Sequence, residues 1–230
     1  MRPKQGRKPM TLRLDHLLTY DPLTENQDYA YRSWRSGDNL VLYGTAGTGK
    51  TFIGIYLALE EVLDKALPQN KLVIVRSVVP TREIGYLPGT LEEKMSAYVA
   101  PYRAIMSEMF EDSEAYDKLI EKKQLEIIST SHIRGTTIDD AIILVDECQN
   151  LNFHELDSII TRVGRNSRII FSGDHKQSDF YKESEKEGVM RFLNIVEQLK
   201  NFDIIEFTWT DIVRSDFVRD YIMTKEMLGY

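Results

Sequence analysis

Three clusters of residues carry the types and spacings needed for chemistry, and the first is Gly44-Thr45-Ala46-Gly47-Thr48-Gly49-Lys50-Thr51. It fits G-x-x-x-x-G-K-[ST] and follows the apolar run Leu40-Val41-Leu42-Tyr43. Glycines let the backbone curl so that successive N–H groups converge on phosphate oxygens, and a helix beginning near Gly49 adds its positive N-terminal end. In such a loop Lys50 reaches the β- and γ-phosphates and the Thr51 hydroxyl is a ligand of Mg²⁺. A glycine-rich turn can also merely join a strand to a helix. Here Phe52, Ile53, Ile55, Tyr56, Leu59, Val62 and Leu63 recur at helical spacing straight after the loop, which is the flank a phosphate site requires.

The second cluster ends another apolar run, Ile142-Ile143-Leu144-Val145, with Asp146-Glu147. Two carboxylates then emerge at the C-terminal edge of a strand, where parallel sheets hold their ligands. Asp146 is suited to hold Mg²⁺ and Glu147 to polarise a water aimed at the γ-phosphorus. An acidic strand end alone would say little; joined to a phosphate loop it implies hydrolysis. The third cluster is Ile169-Ile170-Phe171-Ser172-Gly173-Asp174 followed by Gln177. That amide can bond the γ-phosphate or its water, or simply stabilise the turn, and spacing leaves both open. Arg134, Arg162, Arg165, Arg214 and Arg219 are each capable of neutralising transition-state charge. No N-K-x-D element appears, which favours adenine over guanine.

These clusters need elements to hold them. Lys71 to Arg76, Leu125 to Ser129, Ala141 to Val145, Arg168 to Ser172 and Ile204 to Thr208 are further strand candidates. They alternate with helical patterns, including Leu156 to Val163 and Val189 to Leu199, and the alternation predicts an α/β fold with a mostly parallel sheet and helices on both faces. A short helix is expected over Asp28 to Trp34. Leu91, Met95, Tyr98, Val99, Tyr102, Ile105, Met106 and Met109 recur at helical spacing as a packing stripe, with Pro101 expected to kink or split the helix.

The 230 residues suit one domain, expected over residues 21–230, preceded by a flexible basic segment over 1–20 that carries Arg2, Lys4, Arg7 and Lys8. No apolar run approaches the roughly 18 residues that span a membrane, so a cytoplasmic protein is expected. The single cysteine, Cys148, supports neither an internal disulfide nor a zinc cluster, and its apolar flank suggests a small buried residue. A net charge of −7 argues against coating nucleic acid over the whole surface, so any such contact must be local.

Together these residues are similar to the PhoH family, phosphate-starvation-inducible ATPases related to the ATPase core of superfamily-one helicases. Arg76-Ser77-Val78-Val79-Pro80, Gly85-Tyr86-Leu87-Pro88-Gly89 and Glu93-Lys94 resemble its R-P-V-V, G-F-L-P-G and E-K segments. Ile133 to Thr137 resembles M-R-G-R-T, and Val145 to Asn150 resembles L-D-E-A-Q-N. Ser172-Gly173-Asp174 with Gln177 and Asp179 resembles T-G-D-x-x-Q-x-D, and Val213-Arg214-Ser215 resembles V-R-H. Two positions depart, Thr136 for the second arginine of M-R-G-R-T and Ser215 for the histidine of V-R-H.

The resemblance implies a RecA-like P-loop NTPase that binds Mg-ATP, with Gln27 near the adenine and Gln177 coupling nucleotide state to a nucleic-acid surface. It implies partners as well: RNA or single-stranded nucleic acid, and identical chains assembled into a ring, a hexamer by the family resemblance. Arg214 or Arg134 would then be the arginine that a neighbouring subunit supplies. The chain resembles the short, core-only form found in phages, which would act in the host cytoplasm. Helicase activity is a further expectation from the same resemblance; the alternative is a nucleotide-gated protein-interaction switch without motor activity.

Overall fold

The computed structural model describes residues 11–76, 91–130, 133, 135–174 and 183–228. Six apolar runs form strands β1 (Asn39–Gly44), β2 (Lys71–Arg76), β3 (Leu125–Ser129), β4 (Ala141–Asp146), β5 (Arg168–Gly173) and β6 (Phe202–Phe207). They make one sheet in the order β3-β2-β4-β5-β1-β6, and every pairing is parallel. β1, which leads into the glycine loop, lies between β5 and β6, and β4 with its two acids lies on the far side of β5. All these chemistry-bearing strand ends share one edge because parallel strands point the same way.

Both faces of the sheet are covered, as the continuous apolar runs require. Successive side chains of a strand point to opposite faces. Leu40 and Leu42 of β1, Leu72 and Ile74 of β2 and Ile142 and Leu144 of β4 pack with helices α1 (Glu25–Ser36), α2 (Lys50–Val62), α3 (Leu91–Phe110) and α4 (Ala115–Glu121). Val41, Val73, Val75, Ile143 and Val145 face α5 (Phe153–Ile160) and α6 (Glu183–Val196). A last helix, α7 (Asp216–Met227), follows β6 after a single 3-10 turn at Trp209–Asp211. Each fully buried Leu or Ile contributes about 1.5–3 kcal/mol, so these two clusters dominate stability.

Two expectations need revision. Residues 11–20 belong to the packed domain: Leu12 is buried, Leu17 and Tyr20 lie against the core, and the Leu18 N–H donates to Met109 O at 2.9 Å. Residues 1–10, which hold the basic cluster, lie outside the described residues. Pro101 sits inside α3, which runs on to Phe110 rather than splitting there. It removes one backbone donor, while the buried Tyr102, Met106 and Met109 hold the helix on its C-terminal side.

At the amino edge of the sheet one arginine is enclosed by its own chain. Arg168 forms an ion pair with Glu61 and donates to Trp34 O and Asp38 O at 2.6 Å each, and its Cζ lies 3.4 Å from the centre of the Trp34 ring. This clasp joins β5, α2 and the end of α1.

Candidate active site

The glycine loop occupies the strand-to-helix turn that its sequence specifies, with α2 starting at Lys50. Gly44 has φ +116°, and a Cβ there would lie 2.1 Å from Phe207 O, so only glycine fits. The same carbonyl accepts the Thr45 N–H at 2.8 Å, which braces the loop on β6. Lys50 is buried, and its ammonium donates to Gly44 O at 2.9 Å, Thr45 O at 2.6 Å and Thr48 Oγ1 at 3.3 Å. Burial lowers its pKa, a shift that Asp174 and Glu147 oppose. Extra negative charge beside this ammonium would therefore be welcome.

A polar chain runs from the loop across the carboxyl edge. The Thr51 hydroxyl donates to Asp146 Oδ1 at 2.8 Å, and the Tyr102 hydroxyl of α3 donates to Asp146 Oδ2 at 2.8 Å. Arg76, which ends β2, reaches the Tyr102 hydroxyl at 3.5 Å and Glu147 Oε1 at 3.9 Å while lying over the Tyr98 ring. Glu147 Oε2 accepts from Gln149 Nε2 at 2.6 Å, and Gln149 Oε1 accepts the Asp174 N–H at 2.9 Å. Burial opposes the Arg76 charge, but Tyr102, Asp146 and Glu147 outweigh it and raise its pKa. The Tyr102 hydroxyl is held protonated, by burial first and then by Asp146. Glu147 takes left-handed backbone angles, φ 54° and ψ 42°. A non-glycine residue in that region costs of order 1–3 kcal/mol, and such strain gathers at functional positions.

Lys50, Thr51, Asp146, Glu147 and Asp174 open on a cavity of about 750 Å³. Gly47 lines it with these loop and strand-end residues, and Tyr20, Asp21, Leu23, Gln27 and Phe52 line it as well. Gln27 is where the sequence expects a base-reading amide, yet much of its capacity is spent within the chain. Its Nε2 donates to Thr48 O at 3.0 Å and its Oε1 accepts the Leu23 N–H at 2.7 Å. One proton and one lone pair remain for a ligand. Gln27 is thus also a strut between α1 and the loop.

The arginines separate by position. Arg162 and Arg165 precede β5 beside residues 138–140, at the amino edge and away from the cavity. Arg219 lies on α7, 4.0 Å from Asp216. Arg214 lines the cavity of its own chain. Arg134 and Gln177 lie outside the described residues, as does the segment 77–90. Cys148 is buried as expected, and burial pushes its thiol up to about 12.

Sequence comparison decides the lineage. The sequence model of a family described as PhoH-like protein matches residues 19–225. The chain belongs to the PhoH family. A PhoH-like protein of Mycobacterium leprae is 30% identical over 216 residues, 92% of this chain and 61% of that protein. A PhoH-like protein of Bacillus subtilis is 32% identical over 180 residues, 78% of this chain and 55% of that one. The chain thus spans between half and two thirds of the length of these relatives. Among solved structures, the large terminase of a thermophilic bacteriophage, in complex with ADP, superposes with a TM-score of 0.54 at 12% identity, covering 87% of this chain and 49% of that one. The likeness fixes the fold as RecA-like, that of P-loop NTPases.

Residues of two family segments now have places. Arg76 opens the R-P-V-V segment and Gln149 belongs to the L-D-E-A-Q-N segment, and both brace Glu147. Tyr102 is the residue that sequence reasoning assigned to packing alone. The signal for Arg76 was present, since it ends a buried parallel strand at the same edge as Asp146; nothing in the stripe containing Tyr102 distinguishes its hydroxyl. Among the described residues no helix is long and apolar enough to cross a membrane.

Proposed function

We propose that this chain is a Mg²⁺-dependent ATPase that couples hydrolysis to binding or remodelling of RNA or single-stranded nucleic acid. The observation that carries the proposal is the bond from the Thr51 hydroxyl to Asp146 beside the buried Lys50 and the braced Glu147. One hydroxyl and one carboxylate are the protein donors that Mg²⁺ takes when phosphates and waters supply the rest. Thr51 and Asp146 would hold the ion, which supplies charge neutralisation on the β- and γ-phosphates.

The protein groups divide the remaining work. Loop N–H groups cradle the phosphates, and Lys50 exchanges its carbonyl partners for phosphate oxygens. Glu147, oriented by Gln149 and Arg76, takes the proton of the water that adds to the γ-phosphorus. The bond from that phosphorus to its bridging oxygen breaks, and the electron pair leaves with ADP. Gln27 and the aromatic residues lining the cavity would seat the base. The coupling to nucleic acid rests on the family resemblance, with Gln177 as the proposed link, as do the homo-oligomeric ring and the cytoplasmic location.

A steady-state ATPase assay with and without single-stranded RNA or DNA tests the proposal. Stimulation that disappears in Glu147→Gln is the expected result; no hydrolysis under any condition would reject it. The second reading, a nucleotide-gated interaction switch, is favoured by α7, which exposes Phe217, Tyr221 and Met227 while its Ile222 lies beside Gly47. It predicts slow hydrolysis with no response to nucleic acid.

A further inference from the structure

We propose that Arg214 acts on the nucleotide of its own chain, as the phosphate-sensing arginine in cis. The proposal rests on the ATPase reading and replaces the neighbouring subunit that the sequence resemblance implies as the donor of this group. Three observations carry it.

The first is position. A Cβ on Gly47 would lie 3.2 Å from Arg214 Cγ and 3.9 Å from its Nε, so the stem of Arg214 crosses directly over the middle of the phosphate loop. Gly47 has φ +77° and no side chain, which leaves that path open. The second is rigidity. Asp211 is buried and its Oδ2 accepts from Asn26 Nδ2 at 2.8 Å and from the Thr208 N–H at 2.9 Å. Ile212 is buried next to it, and the Val213 N–H donates to Gly47 O at 3.1 Å. Arg214 therefore leaves a segment pinned to α1 on one side and to the loop on the other. Because the C=O and N–H of one trans peptide point opposite ways, the bond to Val213 also turns the Thr48 N–H away from that segment.

The third is the exposure of the guanidinium at the cavity. Arg168 is enclosed by Glu61, Trp34 and Asp38, and Arg103 donates two hydrogen bonds to Asp117. Arg214 lines the cavity without a hydrogen bond or ion pair to any described residue. A planar cation with five donors, anchored at its base beside a phosphate cradle, has the shape and charge to take the γ-phosphate and the bridging oxygen. As water adds to the γ-phosphorus and the bridging bond breaks toward ADP, negative charge grows on that oxygen, and Arg214 is placed to neutralise it.

The test combines turnover, binding and mixing. Arg214→Ala should lower turnover by about a hundredfold or more, weaken a non-hydrolysable ATP analogue, and leave ADP affinity within about twofold of wild type. Arg214→Lys should recover part of the ATP preference, because charge returns without the planar fork. Mixing Arg214→Ala chains with Lys50→Ala chains should give no more activity than the two alone. Restored turnover on mixing would overturn the proposal, as would wild-type turnover in Arg214→Ala. Equal weakening of ADP and the ATP analogue would also overturn it, since the residue would then only brace the loop. If wild type bound nucleotide without hydrolysing it, the ATPase reading would fail while the ATP-to-ADP affinity ratio of Arg214→Ala still decided this one.

Discussion

The two edges of the sheet solve the burial of charge in opposite ways. At the amino edge, Arg168 and Glu61 face each other, two carbonyls take the protons of Arg168 Nη2, and Trp34 covers the plane. Nothing there looks outward. At the carboxyl edge, Thr51, Asp146, Tyr102, Arg76, Glu147 and Gln149 are also linked by bonds and an ion pair, yet Thr51, Asp146 and Glu147 line an open cavity and keep lone pairs to spare. A closed network staples the fold, whereas an open one of similar composition awaits a ligand. Buried polarity alone does not distinguish them; the direction of the unused valences does.

Substitutions at the two edges should therefore separate stability from chemistry. Glu147→Gln is expected to lower turnover about a thousandfold, equivalent to about 4 kcal/mol of barrier, with an unchanged melting midpoint; calorimetry beside a phosphate-release assay checks both. Arg168→Ala should do the reverse, costing about 3 kcal/mol of folding free energy by leaving Glu61 buried without its partner. Denaturant titration measures that loss, and turnover per folded molecule should stay at the wild-type value. An Arg168→Ala protein that was stable but inactive would erase the contrast.

Smaller effects sharpen it. Tyr102→Phe removes the donor to Asp146 Oδ2 together with the longer, 3.5 Å contact from Arg76, so the Mg²⁺ concentration for half-maximal turnover should rise about tenfold. A Mg²⁺ titration of nucleotide affinity gives an independent reading of the same loss; a uniform drop at saturating Mg²⁺ would point to packing instead. The smallest effect concerns Cys148. With its thiol pushed up to about 12 by burial, fewer than about one molecule in a thousand carries a thiolate at pH 8. Iodoacetamide should leave the native protein unlabelled and modify it only after unfolding. Rapid native labelling would show that this residue faces the cavity rather than the core.

The inner strands were legible because they are buried on both faces and read as nearly continuous apolar runs, so Leu40 to Tyr43 and Lys71 to Arg76 announce themselves. Strand order was not legible: no residue of β2 specifies that β4 will insert between it and β5. The short α4 escaped because seven residues carry little periodicity, and α7 because its apolar residues are spread around the helix rather than gathered into one face. Within the site, residues whose roles depend on local spacing, such as Lys50, Thr51 and Asp146, could be assigned from the chain. Tyr102, Gln149 and the placement of Arg214 over its own loop depend on tertiary proximity, and Gln27 was found without its second task of supporting Thr48.

Trp34 and Trp209, the chain's only two tryptophans, sit at these contrasting places. Trp34 is buried under the Arg168 clasp, whereas Trp209 is half exposed in the turn that anchors Arg214. The protein therefore carries its own pair of optical reporters. Emission from Trp34 should follow global unfolding and ignore nucleotide, and emission from Trp209 should be open to a collisional quencher and respond when phosphates engage the neighbouring segment.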